Sequence, residues 1–304
     1  AAVTGTSIAS AAAFTRIAWP EMKAAGYKHS FALGSIAGSA CLGMLIPPSV
    51  LLIVWGIITE DSIGKLFVAG VLPGIVLAAF FAAYNMITAK MNPSIAPEPD
   101  TLGDLSPLTK GQVYSGAAIV GLIMLVLGGI WGGFFTATEA AGVGALAGMF
   151  IAIAKGLRFK ELVECIIDAG KTSAPIMILL ITAGMYSRFL SLADIDSLII
   201  GAMTSAGLDG AMGLIVMVII WLLLGMLLDS ISIILLTVPL FMTLSSGMDP
   251  YAFAIFGILA IEAGLLTPPF GLIVYTVKGV LSGTGHDVPL NQIFSGSIPY
   301  WIMM

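Results

Sequence analysis

The chain has 304 residues, 59% of them hydrophobic and only 10% charged, with a formal net charge of −5. Soluble domains carry roughly 25% charged residues, so this composition excludes a water-soluble globule of that size and points to an all-α polytopic membrane protein. It also speaks against a nucleic-acid partner, because the few basic residues form no cluster, and against a β-barrel: barrel strands alternate apolar and polar residues, whereas GAAIVGLIMLVLGGIW is apolar on every face.

Five stretches follow in chain order. Residues 1–60 place a polar cluster, TGTSIAS (4–10), inside apolar sequence. Pro20, a polar loop from Gly26 to Ser30 and an apolar span at about 31–58, cut by Pro47 and Pro48, come next. Arg16 and Trp19 read as interfacial anchors. Residues 61–111 hold a span at about 65–90 and a Pro-rich solvent loop, 92–111. Residues 112–196 hold spans at about 112–131, 134–155 and 173–192. Between the last two, residues 156–173 set Leu157, Leu162, Cys165 and Ile166 against Lys160, Glu161, Glu164 and Asp168. That pattern is an amphipathic helix, expected to lie in the membrane interface. Residues 197–283 contain an apolar stretch, 197–245, interrupted by GLDG and LLDS, and a second broken span at 251–281; residues 284–304 begin a last span near 289. The chain opens at AAVTGTSIASAAAF, without Met or a charged n-region, and closes at SIPYWIMM as that span starts. It reads as a piece of a longer membrane protein.

Cys41 and Cys165 form no spacing motif and read as small buried side chains. His29 and His286 fall in polar loops, which argues against a His/Cys metal centre. The pairs Gly34/Gly38 and Gly144/Gly148 fit close helix packing within the protein. With Arg16, Lys23 and Lys28 set in the cytoplasm by the positive-inside rule, Lys90, Lys110, Lys155, Arg158, Lys160, Lys171 and Lys278 also fall inside. Glu60, Asp61, Asp194, Asp196, Asp209 and Asp249 fall outside, with Lys65 and Arg188. That threading makes the segments before Pro20 and around Asp229 re-entrant hairpins.

The two broken spans match. LGMLIPPSVLLIVWG (42–56) resembles AGLLTPPFGLIVYTV (263–277) at an offset of 221, pairing Gly43 with Gly264, Pro47 with Pro268 and Pro48 with Pro269. Polar tip, proline, Gly-containing loop and broken helix occur in the same order twice, the second tip being LDSISI (228–233). The threading gives the copies opposite orientation. Paired, Pro-interrupted segments in two halves mark the binding region of secondary transporters; a kink made only for packing is the plainer reading of each pair. Breaking a helix at membrane depth frees backbone groups that persist only where they line a cavity or hold an ion. Carbonyls at one half-helix suit a hard cation such as Na⁺, and the N-terminus of the other half suits an anion.

Side chains near the breaks carry the candidate roles. Asp229, at membrane depth, is a Na⁺ ligand or a cap on the second half of its hairpin. Glu139 either lines the cavity or stabilises a helix start after Thr136 or Thr138; Glu262 has the same two readings. The hydroxyls of Thr6, Ser7, Ser10, Ser230 and Ser232 cluster at the tips, where they contact ion or substrate or bond only to backbone.

Other classes fare worse. A membrane-embedded aspartyl enzyme would use Asp209 and Asp229 sharing a proton, yet Asp209 falls in a surface turn. An ATP-driven pump would need a P-loop; DAGKTS (168–173) has Cys165 where that motif requires glycine. A channel would need an open polar path.

GTSIASAAAFTRIAWPEMKAAGY, followed by LGMLIPPS, SIGKLFVAGVLPG, GGFFTATEAAGVGALAG, LGMLLDS and GLLTPPFGL, resembles the large membrane subunit of TRAP (tripartite ATP-independent periplasmic) transporters, the DctM-like family, over nearly the whole chain. The resemblance implies an inverted-repeat, elevator-type fold in a bacterial or archaeal inner membrane, without enzymatic activity. It implies Na⁺-coupled uptake of an organic acid, such as a dicarboxylate, keto acid or sugar acid. The implied partners are a small transmembrane subunit and a periplasmic substrate-binding protein, and Na⁺ is the only implied cofactor. One Na⁺ site would take Gly5, Thr6, Ser7, Gly43 and Pro47. The other would take Asp229, Ser230, Gly264, Thr267 and Pro268. Ser10, Ser49, Glu139, Ser232 and Glu262 are the candidates for the substrate cavity. Thr267 stands where the first copy has Ile46, and Phe270 where it has Ser49, so the two sites should differ there. A related anion/Na⁺ symporter working without a binding protein is the alternative within the same class.

Overall fold

A computed structural model describes residues 5–96, 109–207, 210–245, 247–284 and 287–304. It is all-helical, with no strand among the described residues. In chain order the helices are α1 (Ser7–Ala24), α2 (His29–Leu45), α3 (Val50–Thr59), α4 (Ile63–Met91), α5 (Lys110–Trp131), α6 (Ala137–Ala154) and α7 (Phe159–Leu192). They continue with α8 (Ile195–Ser205), α9 (Gly210–Gly225), α10 (Ser230–Leu244), α11 (Pro250–Leu266), α12 (Leu272–Gly283) and α13 (Leu290–Met303). By length and composition, five stretches are able to cross a membrane: residues 29–59 through their break, α4, residues 111–131 of α5, α6 and α7.

The repeat inferred from sequence is present in the element boundaries. Shifted by 221, His29–Leu45 falls on Pro250–Leu266, which are the limits of α11. α1, α3 and α4 shift onto or overlap α10, α12 and α13 in the same way. Packing repeats as well. α1 lies against α12, the far half of the other broken helix, and α10 lies reciprocally against α3. Each copy therefore reaches across and covers the break partner of the other.

α2 and α11 form the centre. Their faces are apolar all round, as expected of helices enclosed by protein, and Leu33, Ala37, Leu45, Ile258, Ile261 and Leu265 are all buried. α5, α6 and α7 form the outer layer. They turn Met124, Phe150, Ile178 and Phe189 outward, the arrangement that suits lipid contact.

Glycines set the closest approaches. A Cβ on Gly34 would stand 2.1 Å from the Gly296 carbonyl oxygen, and one on Gly38 would enter the Tyr300 ring at 2.3 Å. Gly144 likewise meets Val126 of α5. Gly34, Gly38 and Gly144 thus serve close packing within the chain, as expected, whereas a Cβ on Gly148 would meet only Leu122, at an ordinary 3.8 Å.

Three local expectations change. Residues 159–173 are not a separate interfacial helix; they run into the following span as the single 34-residue α7, with Pro175 accommodated inside it. The shift from polar to apolar sequence there marks a change of surroundings along one rod. Trp19 is 1% exposed and its ring meets His29 edge-on at 5.1 Å, so it belongs to the core and not to an interfacial belt. Cys165 is exposed on α7, whereas Cys41 is buried as expected. His286 and Asp209 lie outside the described residues.

Because the α2–α13 contact is made backbone to backbone, Gly34→Ala should destabilise the purified protein by about 1–3 kcal/mol, read as a lowered melting temperature in detergent. Gly116→Ala, where nothing lies within 4 Å, should leave that temperature unchanged or raised.

Candidate functional site

The site begins with donors that the chain does not have. In α2, Pro47 and Pro48 cannot supply the N–H groups that the Gly43 and Met44 carbonyls would receive in a continuous helix. The Ser49 hydroxyl takes over at the Met44 carbonyl, and the Ile46 N–H bonds to the Leu42 carbonyl at 2.9 Å. Pro47 leaves the Gly43 carbonyl with no N–H from that position. Ser49 then caps α3, its Oγ accepting from the Leu52 N–H at 3.4 Å. This second bond fixes Ser49 in the backbone scheme of the break.

The first hairpin tip meets this break directly. Gly5 has φ +63°, in the left-handed region that favours glycine. Its carbonyl accepts the Val50 N–H at 3.2 Å, and a Cβ on it would crowd the Pro48 carbonyl oxygen at 3.3 Å. Thr6 is the N-cap residue of α1, and its carbonyl accepts both the N–H and the hydroxyl of Ser10, at 3.0 and 2.7 Å. Gly5, Thr6, Ser7 and the Pro47–Pro48 turn are therefore neighbours, as the sequence implied.

The second break is built on the same plan with different side chains. Pro268 and Pro269 remove the donors for the Gly264 and Leu265 carbonyls. Here the Thr267 N–H turns back to the Gly264 carbonyl at 3.0 Å, and the Thr267 hydroxyl donates to the Ala263 carbonyl at 2.8 Å. Gly271, with φ +38°, opens α12. The second hairpin, α9 and α10, reaches this break through glycine: Gly225 and Gly264 touch backbone to backbone, and a Cβ on Gly264 would lie 2.8 Å from the Gly225 Cα. Both proline pairs carry a cis bond between the two prolines.

Asp229 is the N-cap of α10. Its carboxylate accepts the Ser232 N–H at 3.1 Å and the Ser232 hydroxyl at 2.5 Å, so of its two sequence readings the cap is the one the geometry displays. Ser232 also borders a cavity of about 260 Å³ between α7 and α10, with Leu179, Thr182 and Tyr186 on the opposite wall. Glu139 stands apart from the breaks. It completes a capping box at the start of α6, accepting the N–H and hydroxyl of Thr136, each at 2.8 Å, and is exposed.

An ionisable side chain is buried here as well, Glu262 of α11, 1% exposed. Ser230 donates its hydroxyl to Oε1 at 2.7 Å. The Ser7 hydroxyl and the Cys41 thiol face the same carboxyl, although Ser7 Oγ and Glu262 Oε2 make no bond of hydrogen-bond geometry among the described residues. One carboxylate thus joins the first residue of α1, the first residue of α10 and both central helices. Sequence reasoning assigned Glu262 to a cavity wall and missed this convergence. The signal was the repeat itself: Cys41 and Glu262 are equivalent positions at the offset of 221.

The whole chain, residues 1–304, matches the family described as "Tripartite ATP-independent periplasmic transporter, DctM component". The chain belongs to this DctM family. It is 32% identical over its full length to the C4-dicarboxylate TRAP transporter large permease protein DctM of Pseudomonas aeruginosa, covering 70% of that protein. It is 30% identical, with the same coverage, to the ectoine/5-hydroxyectoine large permease UehC of Ruegeria pomeroyi. The sialic acid large permease SiaM of Vibrio cholerae is 27% identical over 98% of the chain, which spans 68% of that protein. DctM proteins are large permeases of the inner membrane and transporters rather than enzymes, which disposes of the aspartyl-enzyme alternative. The family works with a small permease and a periplasmic binding protein. The isethionate permease of Oleidesulfovibrio alaskensis, 28% identical over 92% of the chain and 44% of its own length, is named as a DctMQ protein.

Ser230→Ala would leave Glu262 Oε1 without its donor and should cost about 1–3 kcal/mol, seen as a lower melting temperature in detergent. Glu139→Gln keeps a side chain that serves in a capping box and should stay within about 0.5 kcal/mol. A large loss of transport on Glu139→Gln would instead place Glu139 in the transport path.

Proposed function

We propose that this DctM chain carries the Na⁺-coupled step of organic-acid uptake, with the acid handed over by a periplasmic binding protein and a small transmembrane subunit alongside. The observation that carries the reading is the doubled break: two proline-interrupted helices, each met by a hairpin tip and each covered by an arm from the other repeat. The breaks deprive the Gly43 and Leu265 carbonyls of the N–H groups that Pro47 and Pro269 would have supplied, and such hard oxygens suit Na⁺ better than any softer ion. In this reading Gly5, Thr6, Ser7, Gly43 and Pro47 surround one Na⁺, and Asp229, Ser230, Gly264, Thr267 and Pro268 the other.

The side chains differ between the two. In the first copy Ile46 offers backbone alone, whereas Thr267 adds a hydroxyl oxygen that still has lone pairs after donating to Ala263. Asp229 acts through Ser232 and the start of α10, holding the tip in shape. The hairpins and the broken helices move together as the elevator against α5, α6 and α7. The substrate meets them on the hairpin side, near Ser232 and the cavity it shares with α7, with Ser10 and Ser49 behind the first tip.

The substrate class follows from the relatives' names with chemistry added. C4-dicarboxylates, ectoine, sialic acid and isethionate all bear a carboxylate or sulfonate, which the N-terminal ends of α3, α10 and α12 would attract. A symporter that dispenses with the binding protein is the second reading.

Reconstitution of the full-length permease with its small subunit into vesicles decides between them. Uptake of labelled substrate should require both an inward Na⁺ gradient and the binding protein. Thr267→Ala should raise the Na⁺ concentration for half-maximal uptake by about tenfold, the loss of one good polar contact to a charge. Uptake indifferent to Na⁺ removes the coupling; uptake without the binding protein favours the second reading.

A further inference from the structure

We propose that Glu262 is a positioning residue that couples the two tip sites, holding Ser7 and Ser230 so that one bound Na⁺ makes the second bind more tightly. The proposal rests on the Na⁺-coupled reading above and deepens it: Glu262 is a ligand of neither ion and acts through the two serines.

The place of the serines in their helices dictates where their hydroxyls turn. Other buried hydroxyls of the protein donate to a carbonyl one turn back in their own helix: Thr15 to Ala11 at 2.6 Å, Thr237 to Ile233 at 2.7 Å and Ser297 to Ile293 at 2.8 Å. Ser7 and Ser230 are the first residues of α1 and α10, so no preceding turn of the helix offers them a carbonyl. Both are buried, and a buried hydroxyl needs a partner, which for these two has to come from another helix. Ser230 donates to Glu262 Oε1 at 2.7 Å, and the Ser7 hydroxyl faces the same carboxyl.

The repeat makes this acceptor a shared one. Cys41 stands at the position equivalent to Glu262, and its thiol is directed at the Ala37 carbonyl of its own helix, at 3.8 Å. A carboxyl at both positions would give each hairpin arm an acceptor of its own. With one carboxyl between them, two arms from different repeats depend on the orientation of a single side-chain plane. That plane has room for both, because its two oxygens together offer roughly four lone-pair sites.

The serine hydroxyl is what passes the effect on. It has one proton to give and two lone pairs to offer. With the proton committed to Glu262, the lone pairs turn away from the carboxyl and are free for a cation at the tip. A cation on those lone pairs polarises the O–H in turn and strengthens its bond to the carboxyl. The link is closed at Ser230 and open at Ser7, whose Oγ makes no bond of hydrogen-bond geometry among the described residues. An ion that draws the Ser7 hydroxyl into line closes it onto the carboxyl, fixes the carboxyl plane and leaves the second tip with less to order. Coupling through such shared ordering is positive, and it is reciprocal between the two ions.

Equilibrium binding of ²²Na⁺ to the full-length permease with its small subunit in detergent tests this. A typical coupling of roughly 5–150-fold between two equal sites gives a Hill coefficient of about 1.4–1.8. Glu262→Gln should still bind both ions, with the coefficient lowered to about one or below. Its amide keeps the shape of the side chain but presents an NH₂ donor where a serine must donate, so one serine is turned round and the link is cut. A role in packing alone would lower the melting temperature of Glu262→Gln and leave the coefficient unchanged; that result overturns the proposal. Two ions bound without cooperativity in the unaltered protein overturn it too, with the Na⁺-coupled reading left standing. If the unaltered protein binds no Na⁺, that reading fails and the proposal with it. Should Glu262→Gln not fold, Ser7→Ala and Ser230→Ala form a double-mutant cycle read by melting temperature at saturating Na⁺. Serines joined through one carboxyl should lower that temperature by less together than the sum of their separate effects, and strict additivity overturns the proposal.

Discussion

Two proline pairs withdraw four backbone donors from helices at the centre of an apolar protein, and much of the interior is arranged around the carbonyls they leave. In water such a loss is mended by solvent; in hydrocarbon each orphan group costs several kcal/mol. The chain mends part of it with its own atoms, the Ser49 hydroxyl at Met44 and the Thr267 N–H at Gly264. Each break is also approached closely by a glycine, Gly5 at one and Gly225 at the other. Small residues at those tips follow from this: only glycine lets one backbone approach another so closely.

The exchange of arms between repeats answers a second demand. A half-helix such as α3 (Val50–Thr59) or α12 (Leu272–Gly283) is too short to cross a membrane alone and has an exposed end. Laying α10 on α3 and α1 on α12 encloses each half-helix in protein, so that polar ends meet polar tips. The same exchange brings Cys41 and Glu262 together at the middle. An aromatic cluster of Trp55, Trp221 and Phe253, with ring centroids 5.6–6.5 Å apart, fastens α3, α9 and α11 nearby, and Trp221 donates to Thr237 of α10 at 2.9 Å.

Much of this was legible in the sequence because apolar length and proline position are local signals. The spans at α4, α5 and α6, both broken helices and the offset that relates them could be read directly. Long-range and context-dependent features could not. Polarity along residues 156–173 suggested a separate helix, since sequence reports what surrounds a segment and not whether the backbone continues through it. Trp19 has the composition of an interfacial residue and becomes core because α2 closes over it through His29. Glu139 and Glu262 read alike from sequence; tertiary contacts separate them, one into an exposed capping box and the other into a buried contact with Ser230. The family likeness drew attention to Gly5 and Gly264 but did not disclose that Ser7 and Ser230 converge on one carboxylate.

The uninterrupted α7 has a mechanical consequence. At 34 residues it is about 51 Å long, against a hydrocarbon core about 30 Å thick. Lying wholly within that core would require a tilt of about 54°, beyond the usual range for membrane helices. One end therefore stands clear of the lipid, and it is the end bearing Lys160, Glu161, Glu164, Asp168 and Lys171. Drawing those charges inward would cost about 2.5–3.5 kcal/mol for each. The charged end thus holds α7 at a set depth, and α10, which packs against it, takes its reference from that helix.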